Sequence, residues 1–371
     1  MNNMVNEKLQ KEKYDSLVQE HEITEFSDLQ SIIKIDENID LRENFIFRGI
    51  KRLSYNLVPS SLRRNKDTNE LEINKFILKS EFNFLQKQKK LEEYFNDTSD
   101  VFSKAIDKNN MPTKNIPKYQ INSEEELQFK REIYVLLKFL DYADKIGLKI
   151  QADTSIRRWI HNHLAYKNEL KDIWPKPNFY EIISLAQHYE LPTRALDWTY
   201  DFKVALYFAV SDILEGNDEN CVLWAFNYKL FEDNYNEQKY ENDKLAIYRP
   251  EYSTNPNLKA QKGLFTFLTC QNYENIDDDS PFDEALINSL SKIKSLDEKQ
   301  TYYKLNEFQE IKIENNEKIF HKFIIAHNLK KEILKELYLD GYAHENLFPS
   351  YNGVVKSIRK RAQLDYILNF K

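Results

Sequence analysis

Between residues 179 and 210, the stretch FYEIISLAQHYELPTRALDWTYDFKVALYFAV changes its periodicity twice. Apolar positions first recur at helical spacing and stop near His188. Pro192 sets a turn, RALDWT reads as a short strand, and KVALYFAV reads as an apolar helix. A short strand enclosed by helices cannot satisfy its own backbone, so it must join a sheet built from distant segments. Four stretches have the composition for that: NFIFRGI at 44–50, CVLWAF at 221–226, GLFTFLT at 263–269 and IFHKFIIA at 319–326. The order of elements predicts an α+β fold, with a small antiparallel or split sheet and a helical layer.

The helical parts are legible in the same way. Phe129, Ile133, Leu136, Leu140 and Ala143 fall on one face of a helix over 124–147, which opens at NSEEE and ends near Gly147. KKEILKELYLDGY predicts a helix closed by Gly341. Residues 1–40 read as a polar, helical N-terminal segment with a helix start at Ser27, and 41–371 as the main domain. Phe76, Leu78, Phe82 and Leu85 have helical spacing over 70–95, within a large helical insertion at about 65–178. Residues 96–123, with Pro112 and Pro117, read as a loop, and the acidic 271–300 as a surface excursion.

A net charge of −7 argues against a protein that binds nucleic acid with its whole surface. It leaves local basic runs to consider: Lys51, Arg52, Arg63, Arg64 and Lys66, and Lys356, Arg359, Lys360 and Arg361. Two cysteines in separate segments make neither a disulfide framework nor a zinc pattern. His161 and His163 are too poorly spaced for a metal pair, so no metal is expected. Cys221 reads as a small core residue. The polar N-terminus and the lack of a long apolar run lead us to expect a cytoplasmic protein without a membrane span.

AQHYELPTRALDWT, 186–199, packs Gln187, His188, Tyr189, Thr193, Arg194, Asp197 and Trp198 among apolar neighbours. Buried polar groups must find partners. The stretch therefore encodes either a structural hydrogen-bond network or a pocket lining. An Arg194–Asp197 ion pair would staple the turn, and His188 would cap its own helix. Arg48, beside Gly49 at the end of an apolar run, has the same two readings. It pairs with a buried acid such as Asp197, or its planar fork holds ligand phosphate or ribose oxygens.

Five segments then stand in a recognisable order: FRG at 47–49, AQHYELPTRALDWT at 186–199, ALYFA at 205–209, QKGLF at 261–265 and GYAHENLFPSYNG at 341–353. The set resembles the FRG-domain family, named for its Phe/Tyr-Arg-Gly motif, over about 300 residues of the chain. Glu190 stands where the family has glycine, and Ser350 and Asn352 stand where its terminal loop is acidic. A second resemblance is to arginine-type ADP-ribosyltransferases. LDWTYDFKVALYFA looks like their strand-to-helix element, and NPNLKAQKGLF looks like their third element, with Gln261 as its nearest polar residue in place of a glutamate.

These resemblances imply an ADP-ribosyltransferase-like α+β fold and NAD as co-substrate. Arg48 and Gly49, with His188, Tyr189, Thr193, Arg194 and Trp198, would bind it. Breaking the nicotinamide bond builds positive charge on the ribose, which a carboxylate offsets. Asp197, Gln261 and Glu345 are the catalytic candidates. The acceptor would be a protein or a single-stranded nucleic acid base, the setting a bacterial toxin or phage-defence cassette, and a further partner an antitoxin protein. The alternative is a non-catalytic module that binds a nucleotide or a partner through the same pocket.

Overall fold

The computed structural model describes residues 2–28, 34–36, 39–81, 123–149, 156, 173–232, 244–271, 276, 278–297, 300–305, 310–314 and 317–369. Its helices of eight residues or more are α1 Asn2–Leu17, α2 Ser123–Lys145, α3 Tyr180–His188, α4 Phe202–Val210, α5 Phe282–Ser289, α6 Lys330–Leu339 and α7 Tyr351–Asn369. The main strands are β1 Val18–Ile23, β2 Phe45–Ile50, β3 Leu196–Thr199, β4 Cys221–Asn227, β5 Leu245–Tyr248, β6 Gly263–Leu268 and β7 Phe320–Ile325. The architecture is α+β. Two units divide the chain: 1–58 with 195–268 and 280–371, and 59–194 with 269–279.

The first unit holds a seven-stranded sheet in the order β1-β7-β4-β2-β3-β6-β5. β1 and β7 run parallel, and every other neighbouring pair is antiparallel. Helices cover both faces, which is why β4 is buried at every position and reads as an unbroken apolar run. On one face Ile46, Trp198, Trp224, Phe226 and Phe320 pack with Phe282, Leu286 and Ile287 of α5. On the other, Phe45, Phe47, Leu223 and Phe323 meet Val204 and Tyr207 of α4 and Ile333, Leu334 and Leu337 of α6. Arg48 stands on β2 between Ile46 and Ile50, so the strand's alternation places a guanidinium in an otherwise apolar row. Cys221 is fully buried, as a small core residue should be.

Three expectations are corrected. The N-terminal segment is not helical throughout, because VQEHEI forms β1. That edge strand buries only its terminal Val18 and Ile23, so its middle is free to be polar. The acidic 271–300 stretch is not a surface excursion: Phe282, Leu286 and Ile287 carry it into the core at helical spacing. Phe76 and Leu78 do not line a helix face. A 3-10 turn covers Glu72–Phe76, and both side chains are exposed, at 42% and 61%. Phe82, Leu85, His161 and His163 lie outside the described residues, as do nearly all of 96–123 and much of 65–178.

In the second unit α2 buries the five apolar positions expected of it. Trp174 meets Phe129 edge-on at 5.3 Å and Phe179 at 5.1 Å. Ile173–Trp174 pairs antiparallel with Cys270–Gln271, tying this unit's two chain segments together.

Candidate functional site

The sheet has a seam. β2 pairs with β4 along its whole length, but with β3 only through Phe47 and Thr199. β3 is paired instead with β6 from Leu196 to Thr199. Past that single bridge the two halves of the sheet part, and Arg48 reaches across the gap. Its Nη1 donates to the Asp197 carbonyl at 2.6 Å and lies 2.5 Å from Asp197 Oδ1. The two side chains differ in exposure: 13% for Arg48 and 58% for Asp197. Arg48 Nε is buried without a partner among the described residues. Both Arg48 contacts with Asp197 pass through Nη1, and Nε remains a buried donor that no described group accepts from.

Gly49 has a packing role. A Cβ at this position would sit 1.8 Å from the Ala205 carbonyl oxygen and 2.7 Å from the Ala209 nitrogen, both backbone atoms of α4. The glycine lets the helix lie directly on the strand, which is a packing reason for a glycine here.

Beyond the bridge, Thr199 Oγ1 donates to the Gln261 carbonyl at 2.7 Å and accepts from the Asp201 N–H at 3.0 Å. The Gln261 side chain, two residues before β6, donates to the Leu347 carbonyl at 3.1 Å, joining this turn to the short helix His344–Leu347. Gln261 thus lies at the Thr199 end of β3, whereas Asp197 pairs with Phe265 of β6, and its amide is spent on backbone. Glu345 is committed too. It takes a hydrogen bond from Arg361 at 2.6 Å and another from Ser357, both on α7. Partial burial opposes its ionisation, yet the Ser357 and Arg361 contacts hold its carboxyl below the usual range. Glu345 braces α7 and does not join the Arg48–Asp197 pair. Next to it, burial and the nearby Lys360 and Lys356 push the His344 imidazole down to about 4. The neutral ring shares a hydrogen bond with the Tyr207 hydroxyl at 3.0 Å.

Trp198 is a core residue rather than a stacking platform. It is 3% exposed, packs on Phe226 and Phe282, and donates from Nε1 to Thr266 Oγ1 at 2.9 Å. Asp201 escaped the sequence reasoning. Its carboxylate caps α4 through the Lys203 N–H and accepts from Lys262 at 2.8 Å and Tyr342 at 2.9 Å. An acid directly before an apolar helical run is the signal that marks it.

His188, Tyr189, Thr193 and Arg194 belong to the second unit. Arg194, 5% exposed, forms a fork on Glu132, with Nε to Oε2 at 3.0 Å and Nη2 to Oε1 at 2.8 Å. The same carboxylate accepts from Trp174 Nε1 at 2.8 Å, Ser61 Oγ at 2.9 Å and Gln128 Nε2 at 2.8 Å. Arg194 thus neither staples the turn to Asp197 nor presents its fork to a ligand; its charge is neutralised inside the unit. Thr193 Oγ1 donates to Gln187 Oε1 at 2.8 Å, and the Thr193 N–H donates to Ser60 Oγ at 2.9 Å. Tyr189 is 68% exposed, with its ring 5.3 Å from that of His188.

Glu190 closes α3. Its N–H bonds to the Gln187 carbonyl, the Leu191 N–H bonds to the Ala186 carbonyl, and its φ is +65°. That is the Schellman arrangement, whose left-handed residue is usually glycine.

Residues 142–219 match the FRG domain. The matched FRG segment runs from the last turn of α2 through α3, β3 and α4, and contains the Glu132-bound Arg194 and the exposed Asp197. Arg48, Gln261 and Glu345 lie outside it in sequence. No curated protein and no solved structure matches the chain. Among the described residues there is no group of three or more His, Cys, Asp or Glu side chains able to hold a metal ion, and no helix is long and apolar enough to cross a membrane.

Proposed function

We propose that this FRG-domain chain is an NAD-dependent ADP-ribosyltransferase that modifies a macromolecular acceptor. The observation that carries the reading is the Arg48–Asp197 contact at the seam of the sheet. A mostly buried guanidinium keeps its Nε donor without a described acceptor, and an exposed carboxylate stands beside it. A guanidinium with a spare donor suits a pyrophosphate, since Arg recognises such oxygens through its N–H groups. Bound NAD would supply the ADP-ribosyl group, with nicotinamide as the leaving group. Arg48 would hold the phosphates, and the Asp197 carboxylate would offset positive charge developing on the ribose. The acceptor is a protein side chain or an unpaired nucleic-acid base, because a stacked base hides its reactive edge. A role as a toxin or phage-defence effector, restrained by an antitoxin protein, follows from the resemblance alone.

A second reading, a non-catalytic nucleotide- or partner-binding module, has its own support. Glu345 and Gln261 are occupied elsewhere, and Asp197 is itself paired with Arg48. One experiment separates the two: incubation with labelled NAD and either cell lysate or whole-cell RNA, comparing wild type with Arg48→Ala. Nicotinamide release that the substitution abolishes supports the transferase. NAD binding without turnover supports the module, and neither binding nor turnover rejects both.

A further inference from the structure

α7 has a buried face and, opposite it, an exposed apolar one. Gly353, Ser357 and Leu364 turn inward and are buried. At about 100° per residue, Tyr351, Val355, Ile358 and Ala362 fall within about 60° of one another on the opposite side. Tyr351 is 94% exposed, Val355 61% and Ile358 65%, with Val354 and Tyr366 exposed at the margins of the row. Isolated exposed apolar residues are ordinary. A row at i, i+4 and i+7 on the outside of a helix whose core contact is already made is a recognition pattern.

The charge on this helix selects the occupant. Residues 351–369 carry Lys356, Arg359, Lys360 and Arg361 against the single acid Asp365, in a chain whose net charge is −7. Arg361 is held by Glu345. Arg359, bordering the row, and Lys356 beyond it have no ion pair among the described residues and are exposed. We propose that the outward face of α7 docks an acidic amphipathic helix of a partner protein. The apolar row would seat that helix's apolar stripe, and Arg359 and Lys356 would meet its acidic flank. From Tyr351 to Tyr366 the row is about 22 Å long, matching four turns of a partner helix. A single strand of nucleic acid would use the cations but leave the central aliphatic side chains unmatched, since single-strand sites rely on aromatic stacking.

The test uses the full chain and a labelled synthetic helix, with leucine along one face and glutamate along the other, read by fluorescence anisotropy. Binding should weaken as salt rises. Ile358→Asp should reduce affinity at least about tenfold, and Arg359→Glu about threefold. Circular dichroism on both variants, and on Val355→Glu as a second disruption, checks that α7 remains folded. Absence of peptide binding, or equal binding by folded Ile358→Asp and Val355→Glu, overturns the proposal. So does tighter binding to phosphatidylserine vesicles than to the peptide, which would make α7 a membrane-surface helix. Self-association in sedimentation that Ile358→Asp abolishes overturns it in favour of a second copy of this chain.

Discussion

Arg48 and Asp197 meet where β2 and β3 cease to be neighbours: the strands share one bridge, and the guanidinium spans the gap that follows it. An ion pair inside a closed ladder would be part of the scaffold. This one stands at a seam with its carboxylate in solvent, which is why the proposed function rests on it. The pair is also worth little to the fold, because exposure screens the Asp197 charge.

Asp197→Asn should therefore cost the protein less than about 1 kcal/mol of stability. On the transferase reading proposed above, nicotinamide release should also fall by about 100-fold or more. Thermal melting and a labelled-NAD assay on the same preparation read both numbers. A large loss of stability with unchanged turnover would make the pair structural.

Gly49→Ala tests the opposite assignment for the neighbouring residue. The added methyl group would collide with the Ala205 and Ala209 backbone, which cannot swing aside as a side chain can. Destabilisation of about 3 kcal/mol or more is expected, at the upper end of overpacking costs. A variant that melts normally and has lost only NAD affinity would return Gly49 to the ligand site.

Glu190→Gly should stabilise the protein. α2 and α6 end in the same Schellman arrangement as α3, with Gly147 at φ +74° and Gly341 at +85° in the left-handed position. Only α3 places a side chain there. Relief of the left-handed penalty, about 1–2 kcal/mol, exceeds the added flexibility of the unfolded chain, about 0.4–1 kcal/mol. A raised melting temperature is the expected result.

Glu132 carries more of the second unit's integrity than any residue singled out in its sequence. Glu132→Gln leaves the Arg194 guanidinium buried without its counter-charge, a change that typically costs about 3–5 kcal/mol. Urea unfolding should show it. A cost under about 1 kcal/mol would mean that Arg194 finds another acceptor.

β2, β3, β4, β6 and β7 were legible because their residues alternate, or are apolar throughout, and that depends only on neighbours in sequence; the four-residue β5 was not read. The helix faces of α2, α3 and α4 were legible for the same reason. The Arg48–Asp197 pair, one of the two readings open for Arg48, forms across 149 positions. What was missing depended on distance: nothing in FIFRGI indicates that β2 will share only one bridge with β3. Arg194 finds Glu132 at a separation of 62, and no local rule prefers that acid to the nearer Asp197. β1 was hidden by its polar middle, and α5 by the acids around Phe282, Leu286 and Ile287. Glu190 was visible as a departure from the family's glycine, but its physical meaning needed the backbone angle.

Acid should destabilise the fold from near neutrality downward. Burial, followed by the Lys360 and Lys356 charges, lowers His344 to about 4; burial, followed by His21 and Lys318, lowers His321 to about 3; each is 6.5 in the unfolded chain. Both rings are neutral in the folded protein, so below pH 6.5 the unfolded chain binds protons that the folded chain refuses. Stability then falls with decreasing pH. The His344 contribution is exhausted near pH 4, where the folded ring also protonates, and that of His321 near pH 3. His344→Gln keeps a polar group facing the Tyr207 hydroxyl and removes the titration. Its stability curve between pH 6.5 and 4 should be flatter than that of the wild type, with the His321 slope remaining. Melting temperatures in a pH series measure the difference, and parallel curves would show that His344 titrates alike in both states.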